Sequence, residues 1–501
     1  MLIEKMNKFD NIRVAIYLFL ILTLCLSGCQ GDQTNTAIPA TATAAPTEIV
    51  EDLHNALTEL PSETPENNQA GEENENSRER TNYSFEATLD YNKHTLLVAE
   101  SIQYKNTIGN EIQQIQLAVP PNRKNGVFQL DSIIINDVIS TEYMLDGVIL
   151  KLDLNEPIEI GESINIEIVY LLKPKISGGF LGYSAKCINF SDWYPFIPPY
   201  DDEKGWVIHQ PAEVGEYLVY DMADFDLTLD LTGQDGLVIA GSTQAVPVAV
   251  GQYQLQSKDA RNITFSVSDR YSVLTKEVEG ITVNGYVFEG DEESGWAVVN
   301  DSANALQFFG EMFGMPYPHE TFTVVESDFS DGIEYDGLYY LSEIYFKNYD
   351  GSFQNYLSLL SVHETSHQWW FGLVGNDQAL EPWLDESLAT YSEYLYIERY
   401  YPELKDWWWQ YRVETYHPSG RMNLTIYETS DLRTYINAVY LQGARFLHEL
   451  RQVLGDENFF FGLRTYAAGR DQKIATWNDF LNNVVPNSAE STDSLLQKYF
   501  K

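Results

Sequence analysis

Two histidines and two glutamates in the second half of the 501-residue chain constrain its folding more than any other feature. Residues 363–367 read His-Glu-Thr-Ser-His, and a further glutamate, Glu386, follows them. On an α-helix, His363 and His367 lie one turn apart on the same face, where both side chains can reach one metal ion. The segment must therefore be helical, and it must pack against a second element that carries Glu386.

His363, His367 and Glu386 form a typical ligand set for a catalytic zinc ion. A structural zinc site uses four protein ligands, whereas a hydrolytic site uses three and leaves a position for water. Glu364 lies between the two histidines, where a carboxylate can act as a general base toward that water. We therefore predict one Zn²⁺ on these three ligands, with Glu364 as a catalytic residue. The alternative is a pair of histidines that merely pack on an amphipathic helix.

The flanking residues predict two helices that meet at this site. Residues 355–371 contain no Gly or Pro and have apolar side chains at helical spacing, and Gly372 is a plausible stop. A second helix is predicted from Asp385 to about Tyr400, after Pro382, with Glu386 in its first turn. If the two helices run antiparallel, Glu386 comes across to the histidine pair.

These segments resemble the aminopeptidase N family of gluzincin zinc metallopeptidases. Members of that family read H-E-x-x-H-Q-W and then W-L-N-E-G-x-A-T-Y, and here residues 363–369 and 383–391 match those patterns. Asp385 and Ser387 stand where the family has Asn and Gly, and neither position is a zinc ligand. The resemblance covers about residues 83–501 and is strongest over 332–443. It implies a short bacterial lipoprotein member that lacks the family's C-terminal helical domain, so that the cleft is more open.

The resemblance extends to a segment upstream of the histidines. Gly332, Ile333 and Glu334, followed by Tyr335, fall where the family has G-x-M-E-N on the edge strand of its catalytic domain. This match implies that the segment binds substrate and that Glu334 binds its free α-amino group. An α-amino group has a pKa of about 8, so it is largely cationic at neutral pH. The alternative for Glu334 is a solvated strand carboxylate.

A tyrosine downstream of the zinc ligands completes the resemblance. Tyr440 and Gly443 match the family's Y-x-K-G segment, with Gln442 in place of the Lys. The match implies that the Tyr440 hydroxyl donates a hydrogen bond to the oxyanion of the tetrahedral intermediate, a catalytic role. The chain has 33 tyrosines, so a packing role is the alternative.

The N-terminus has the pattern of an export signal. Basic residues precede an apolar run over 14–26, which is shorter than a bilayer span. Residues 26–29 read Leu-Ser-Gly-Cys and resemble a bacterial lipobox, which implies that Cys29 becomes the lipidated N-terminus. We predict a lipoprotein signal peptide at 1–29, a disordered Thr/Pro-rich acidic tether at 30–80, and an extracytoplasmic protein anchored to the bacterial membrane. An ordinary secreted signal is the alternative.

The remaining residues are too many for one core, and their patterns change along the chain. Runs such as 83–90, 111–119 and 164–170 alternate apolar and polar residues, which is typical of half-buried strands. From Val273 onward the pattern is mixed and then helical. We predict an α+β fold, with an N-terminal antiparallel β-sandwich or saddle domain at 81–272 and a thermolysin-like, mostly α catalytic domain at 273–501.

The net charge limits which ligands the chain can bind, and the positions of the cysteines limit which disulfides it can form. The formal net charge of −43 argues against nucleic acid and against anionic lipid surfaces as ligands. Cys25 and Cys29 fall in the predicted signal, so Cys187 has no cysteine with which to form an intrachain disulfide in the folded part. We expect Cys187 to be a small buried side chain.

Three functions are open at this point. The resemblance favours a zinc aminopeptidase that removes the N-terminal residue from peptides with free N-termini. A zinc endopeptidase with an open cleft is the first alternative, because the G-x-M-E-N match is incomplete. The second is a non-catalytic lipoprotein that uses the cleft to bind peptides. Nothing in the sequence indicates the oligomeric state.

Overall fold

The computed structural model describes residues 79–176, 179–329, 331–485 and 490–501. In its first part, alternation of apolar and polar side chains yields strands with one buried face. The strand at Thr81–Asp90 buries Tyr83, Phe85 and Leu89, while the polar residues between them face outward. The other two strand runs predicted from alternation, 111–119 and 164–170, are also strands, with bounds that differ by one or two residues.

The strands of this first part are β1 (Thr81–Asp90), β2 (Thr95–Lys105), β3 (Ile112–Ala118), β4 (Phe128–Ile135), β5 (Val138–Ile139), β6 (Tyr143–Asp146), β7 (Ile149–Ile158), β8 (Ser163–Leu172), β9 (Lys175–Ile176), β10 (Leu181–Tyr183), β11 (Ile188–Phe190), β12 (Tyr200–Asp201), β13 (Gly205–Trp206), β14 (Ala223–Thr232), β15 (Val238–Gly241), β16 (Val246–Ala249), β17 (Gln252–Ala260) and β18 (Phe265–Ser268). Eight of them form one sheet in the order β16-β17-β14-β1-β2-β8-β4-β5, and five form a second sheet in the order β15-β18-β11-β10-β9. Most pairs are antiparallel, as predicted, but β1 and β14 are parallel. A parallel pair is possible here because a long connection separates the two strands.

The second part contains a mixed sheet and most of the helices. Its strands are β19 (Tyr271–Val278), β20 (Ile281–Phe288), β21 (Thr321–Ser327), β22 (Gly332–Tyr335), β23 (Leu338–Ser342), β24 (Val374–Asn376) and β25 (Lys473–Ala475). Its helices are α1 (Glu292–Phe313), α2 (Glu343–Lys347), α3 (Tyr356–Ser366), α4 (Trp383–Tyr400), α5 (Lys405–Trp408), α6 (Leu432–Ile436), α7 (Gly443–Leu454), α8 (Asp456–Gly469), α9 (Trp477–Val484) and α10 (Glu490–Phe500). None of the helices in the described ranges is long and apolar enough to cross a membrane.

The five-stranded sheet of this part runs β19-β20-β21-β23-β22, so β22 is an edge strand, as predicted. The strand β23 has only 5 residues. It ends at Ser342, because the Ser342 side chain accepts a hydrogen bond from the Ile344 amide and caps α2. The α+β prediction is confirmed, with β-rich and then mostly helical parts. The boundaries at 80/81 and 272/273 stay predictions.

Candidate active site

Two buried helices present the predicted zinc ligands. The α3 helix begins where the Asn355 side chain accepts a hydrogen bond from the Ser358 amide at 3.0 Å. Every residue from Leu357 to Ser366 is buried, because α3 packs between α1 and α4. Its last turn contains His363, and His367 is its C-cap residue.

The helix ends five residues earlier than the predicted end at 371, and a π-type turn over Gln368–Leu373 follows it. Trp370 has φ −98° and ψ 56°, which breaks the helical path. This turn places the Trp370 carbonyl oxygen 3.2 Å from His367 Nδ1. Arg261, itself buried, donates to the Phe371 and Gly372 carbonyls at 2.5 and 2.7 Å, so that a residue of the β-rich part fixes the turn.

The donor atoms of the three predicted ligands converge on one point. His363 Nε2 and His367 Nε2 are 3.2 Å apart, and Glu386 Oε2 lies 3.4 Å from the first and 3.7 Å from the second. Glu386 is in the first turn of α4, as predicted. Two helices thus bring together two nitrogens and one oxygen that are close enough to bind a single ion.

The chemistry of this donor set fits zinc. Glu386 Oε2 is buried, and no hydrogen bond to it is found within the described part of the chain. A buried carboxylate oxygen without a partner is costly unless a cation satisfies it. Two imidazole nitrogens and one carboxylate oxygen are ordinary zinc ligands.

A second buried carboxylate orients His363. Glu393 lies two turns after Glu386 on α4, and its Oε1 is 2.9 Å from His363 Nδ1. Arg412 Nη2 donates to the same oxygen at 2.9 Å, and Trp408 Nε1 donates to Glu393 Oε2 at 2.9 Å. This arrangement leaves His363 Nε2 free to face the ligand point. Our sequence analysis missed Glu393, although its seven-residue spacing from Glu386 was a usable signal.

The surroundings shift the two imidazoles in opposite directions. Burial lowers the pKa of His363, but Glu386 and Glu393 outweigh burial and raise that pKa to about 10. Burial, together with the neighbouring charge of His363, lowers the pKa of His367 to about 4, against the opposing effects of Glu386 and of the Trp370 carbonyl. Metal binding requires that both rings are deprotonated at Nε2, so a proton must leave His363 when a metal binds.

The predicted general base, Glu364, is packed against the edge strand. Its carboxyl is buried, and burial raises its pKa to about 8. A Cβ added at Gly332 would lie 2.5 Å from Glu364 Oε1, so only glycine allows this approach. The predicted substrate-binding residue Gly332 therefore makes room for Glu364. Ile333, next to it, is buried in the core beneath the sheet.

The edge strand also brings Glu334 to the site. Carboxylate oxygens of Glu334 and Glu364 and a nitrogen of His367 all lie within 4.8 Å of one another. Glu334 is buried, which rules out a solvated strand carboxylate. Gln378 Nε2 donates to Glu334 Oε1 and to Asp385 Oδ2, at 3.1 Å each. Burial first, and then Glu216, raise the pKa of Glu334 well above its usual range.

Tyr440 faces the ligands from the other side. It lies in a π-type helix, Asn437–Gln442, and its ring is parallel to that of His363 with centroids 6.1 Å apart. Ser387 Oγ donates to the Val439 carbonyl at 2.6 Å and so ties this helix to α4. A Cβ at Gly443 would lie 1.9 Å from Ser387 Oγ. The glycine after Tyr440 is therefore required by the close contact of two helices.

Several other residues have structural roles or lie outside the described part of the chain. Trp193 and Tyr194, in the aromatic and proline-rich segment 193–200, are buried in the β-rich core. Trp408 is buried and supports Glu393, and Cys187 is buried as expected. Cys29, the predicted lipidation site, lies outside the described residues.

The chain was compared with known families and proteins. Residues 297–499 match the peptidase family M1 domain. Aminopeptidase M1-D of Oryza sativa subsp. japonica is 25% identical over 301 residues, which are 56% of this chain and 34% of that protein. Aminopeptidase N of Lactococcus lactis subsp. lactis is 22% identical over 365 residues, which are 64% of this chain and 42% of that protein. The chain thus spans less than half the length of these two relatives.

A solved structure shares the fold over most of its length. The M1 zinc metallopeptidase from Deinococcus radiodurans matches with a TM-score of 0.62 and 17% identity, over 84% of this chain and 94% of that one. The family match falls on the part that holds all three predicted ligands and Glu364. Residues 297–499 therefore contain a peptidase family M1 domain, and the chain is similar to aminopeptidase N-like gluzincin zinc metallopeptidases.

Proposed function

We propose that the chain is a zinc-dependent aminopeptidase that removes the N-terminal residue from peptides. The observation that carries this proposal is the position of Glu334. Its carboxylate lies within 4.8 Å of the general-base candidate Glu364 and of the ligand His367. An α-ammonium group bound there places the first peptide bond, and no later one, beside the catalytic residues.

His363, His367 and Glu386 would hold one zinc ion, which would supply Lewis acidity toward the attacking water and the scissile carbonyl. Glu364 accepts a proton from the attacking water and delivers it to the nitrogen of the leaving amine. Its carboxyl is buried, and one of its oxygens lies within 4.8 Å of a His367 nitrogen, so Glu364 is positioned for both steps. Glu393 and the Trp370 carbonyl keep the two imidazoles in position.

Tyr440 stabilises the negative charge that develops on the carbonyl oxygen. Burial raises the pKa of its hydroxyl well above the usual range, so it stays a donor at all physiological pH values. Its ring is held beside His363 and by the packing of Gly443 on Ser387. A donor held in place before the reaction stabilises an oxyanion without a cost of reorganisation.

We also propose that the enzyme works outside the cytoplasm, attached to the bacterial membrane by lipid on Cys29. The support is the apolar run at 14–26 and the Leu-Ser-Gly-Cys sequence at 26–29. Growth with an alkyne-tagged fatty acid should label the native chain and not C29S. Equal labelling of both chains would contradict the anchor.

A peptide library tests the proposed activity. The zinc-loaded full chain is incubated with a mixed library, of which one half is N-acetylated, and products are read by mass spectrometry. We expect loss of single N-terminal residues from free peptides only, with no cleavage after chelation. Internal cuts in both halves would indicate an endopeptidase instead. No cleavage at all, with zinc bound, would indicate a peptide-binding protein.

A further inference from the structure

A connecting segment of the β-rich part carries one more carboxylate to the active site. The segment lies between β13 and β14 and includes Glu216. It is fixed to the helical part at two points: His209 Nε2 is 2.9 Å from Asp377 Oδ1, and the Tyr427 hydroxyl donates to the Gln210 carbonyl at 2.7 Å. Glu216 is partly exposed, so a ligand in the cleft can reach it.

Glu216 joins two other carboxylates in what we call the acidic recess, formed by Glu216, Glu334 and Asp385. Glu216 follows Gly215, which packs against Tyr435, and the Tyr435 ring lies 6.0 Å from the ring of Tyr440, centroid to centroid. Asp385 and Glu334 share the single amide donor of Gln378. The three carboxylates therefore come from the connecting segment, the edge strand β22 and the first turn of α4.

The acidic recess has no cation of its own in the described part of the chain. None of its three carboxylates forms a salt bridge with a described Lys or Arg. One α-ammonium group supplies one positive charge to the recess. Like charges held close together in a partly dry site repel one another, and a second positive charge on the ligand relieves that repulsion.

A hydroxyl beside the recess is also without a partner. Tyr435 is 1% exposed, and no described atom forms a hydrogen bond with its Oη. This oxygen is next to Gly215, where an added Cβ would lie 2.7 Å from it. Gly215 directly precedes Glu216 in the chain, which places the hydroxyl at the recess. A buried hydroxyl without a partner is suited to an N–H donor from a ligand.

We propose that the acidic recess, with the Tyr435 hydroxyl, binds the cationic side chain of an N-terminal Lys or Arg, so that the enzyme prefers basic N-terminal residues. This proposal rests on the proposed aminopeptidase function. Glu334 binds the α-ammonium group, and Glu216 and Asp385 attract the second charge. Asp385 stands where the aminopeptidase N pattern W-L-N-E-G has an uncharged Asn.

The test uses substrates that differ in charge but hardly in shape. The zinc-loaded full chain is assayed on fluorogenic amides of arginine and citrulline, and of lysine and norleucine. We expect kcat/KM to be about tenfold or more higher for each cationic member of a pair. Titration calorimetry measures the affinities for free L-lysine and L-norleucine and so tests the same preference without turnover.

Two variants assign the preference to the recess. In E216Q and in D385N, the arginine-to-citrulline ratio of kcat/KM should fall at least about fivefold. D385N keeps an oxygen that can accept from Gln378, so it retains the local contacts. The matched control is E213Q, which removes the same charge from an exposed residue of the same segment and should keep the wild-type ratio.

The outcomes separate the two proposals. Equal kcat/KM for arginine and citrulline in the wild-type enzyme would overturn the basic preference and leave the aminopeptidase function intact. A uniform loss on all four substrates in E216Q would assign Glu216 to the α-ammonium group and also overturn the preference. If no amide is cleaved while zinc is bound, the proposed function fails, and equal calorimetric affinities for lysine and norleucine would then overturn the preference independently.

Discussion

The zinc-ligand cluster and the acidic recess are neighbours that share one helix, yet they are stabilised in different ways. Around the ligands, each imidazole has a hydrogen-bond partner within the chain: Glu393 for His363 and the Trp370 carbonyl for His367. Glu393 in turn is neutralised by Arg412. In the recess, by contrast, Glu334 and Asp385 share one neutral amide.

The ligand cluster therefore positions the catalytic groups, whereas the recess selects the substrate. The ligand cluster is held in place by buried hydrogen bonds, so its geometry exists before substrate arrives. The recess has no cation of its own among the described residues, so its free energy depends on what binds there. We expect variants of the first region to change turnover or zinc affinity, and variants of the second to change which substrate is preferred.

The largest expected effect is on Glu364. E364Q keeps the size and the buried contacts of the side chain but cannot accept the proton, so kcat should fall by about 10³-fold. Zinc content should remain one ion per chain, measured by elemental analysis. Wild-type turnover in a zinc-loaded E364Q enzyme would contradict the assigned role.

Next in size is the loss of the Tyr440 hydroxyl. Y440F keeps the ring beside His363 and removes one oxyanion donor, so kcat should fall by about 10²–10³-fold with little change in KM. Steady-state kinetics on one peptide amide measures both constants. Y435F is the matched control on a norleucine amide, because in our proposal the Tyr435 hydroxyl contacts only a cationic side chain and is not an oxyanion donor. A similar loss of kcat in both variants would contradict a specific role for Tyr440.

A smaller effect is expected when Glu393, the carboxylate that orients His363, is changed. E393Q should weaken zinc binding by about 10–100-fold, measured by competition with a chelator. It also leaves Arg412 buried without its partner, which should cost about 3–5 kcal/mol in the free energy of unfolding. The double variant E393Q/R412M should recover most of that stability and keep the weak zinc binding. Full recovery of zinc affinity in the double variant would mean that Glu393 only stabilises the fold.

The smallest effect concerns Glu100, a carboxyl on β2 in the β-rich core. It is 2% exposed, and burial raises its pKa well above the usual range. Between the unfolded pKa of about 4.3 and this higher value, the folded state binds more protons than the unfolded state. The free energy of unfolding of the wild type should therefore fall as pH rises, by up to about 1.4 kcal/mol per pH unit.

E100Q removes the titrating carboxyl. Any pH-dependent difference in the free energy of unfolding between the two proteins therefore comes from the burial of Glu100. Urea unfolding should find the two proteins similar near pH 4 and E100Q more stable at pH 7. A pH-independent difference between them would show that Glu100 is charged in the folded state. The comparison gives a reference for the recess, where neighbouring carboxylates add to burial.

Local patterns were enough to predict the ligand cluster. His363 and His367 share a face because of helix geometry, which acts over four residues and needs no tertiary contact. The predicted end of α3 was wrong, because the turn after His367 is held by Arg261 from the β-rich part. Nothing in the local sequence signals that contact.

By itself, then, the sequence determined the α+β class, the positions of three zinc-ligand candidates and the place of Glu364 between them. Alternation and helical spacing encode the class and the histidine pair, and the resemblance to the aminopeptidase N motifs marks Glu386. Only the tertiary structure decided that Glu393 and Arg412 support His363, and that Glu216 joins Glu334 and Asp385. These groups are far apart in sequence, so their meeting depends on how the β-rich and helical parts pack, and no local spacing records it.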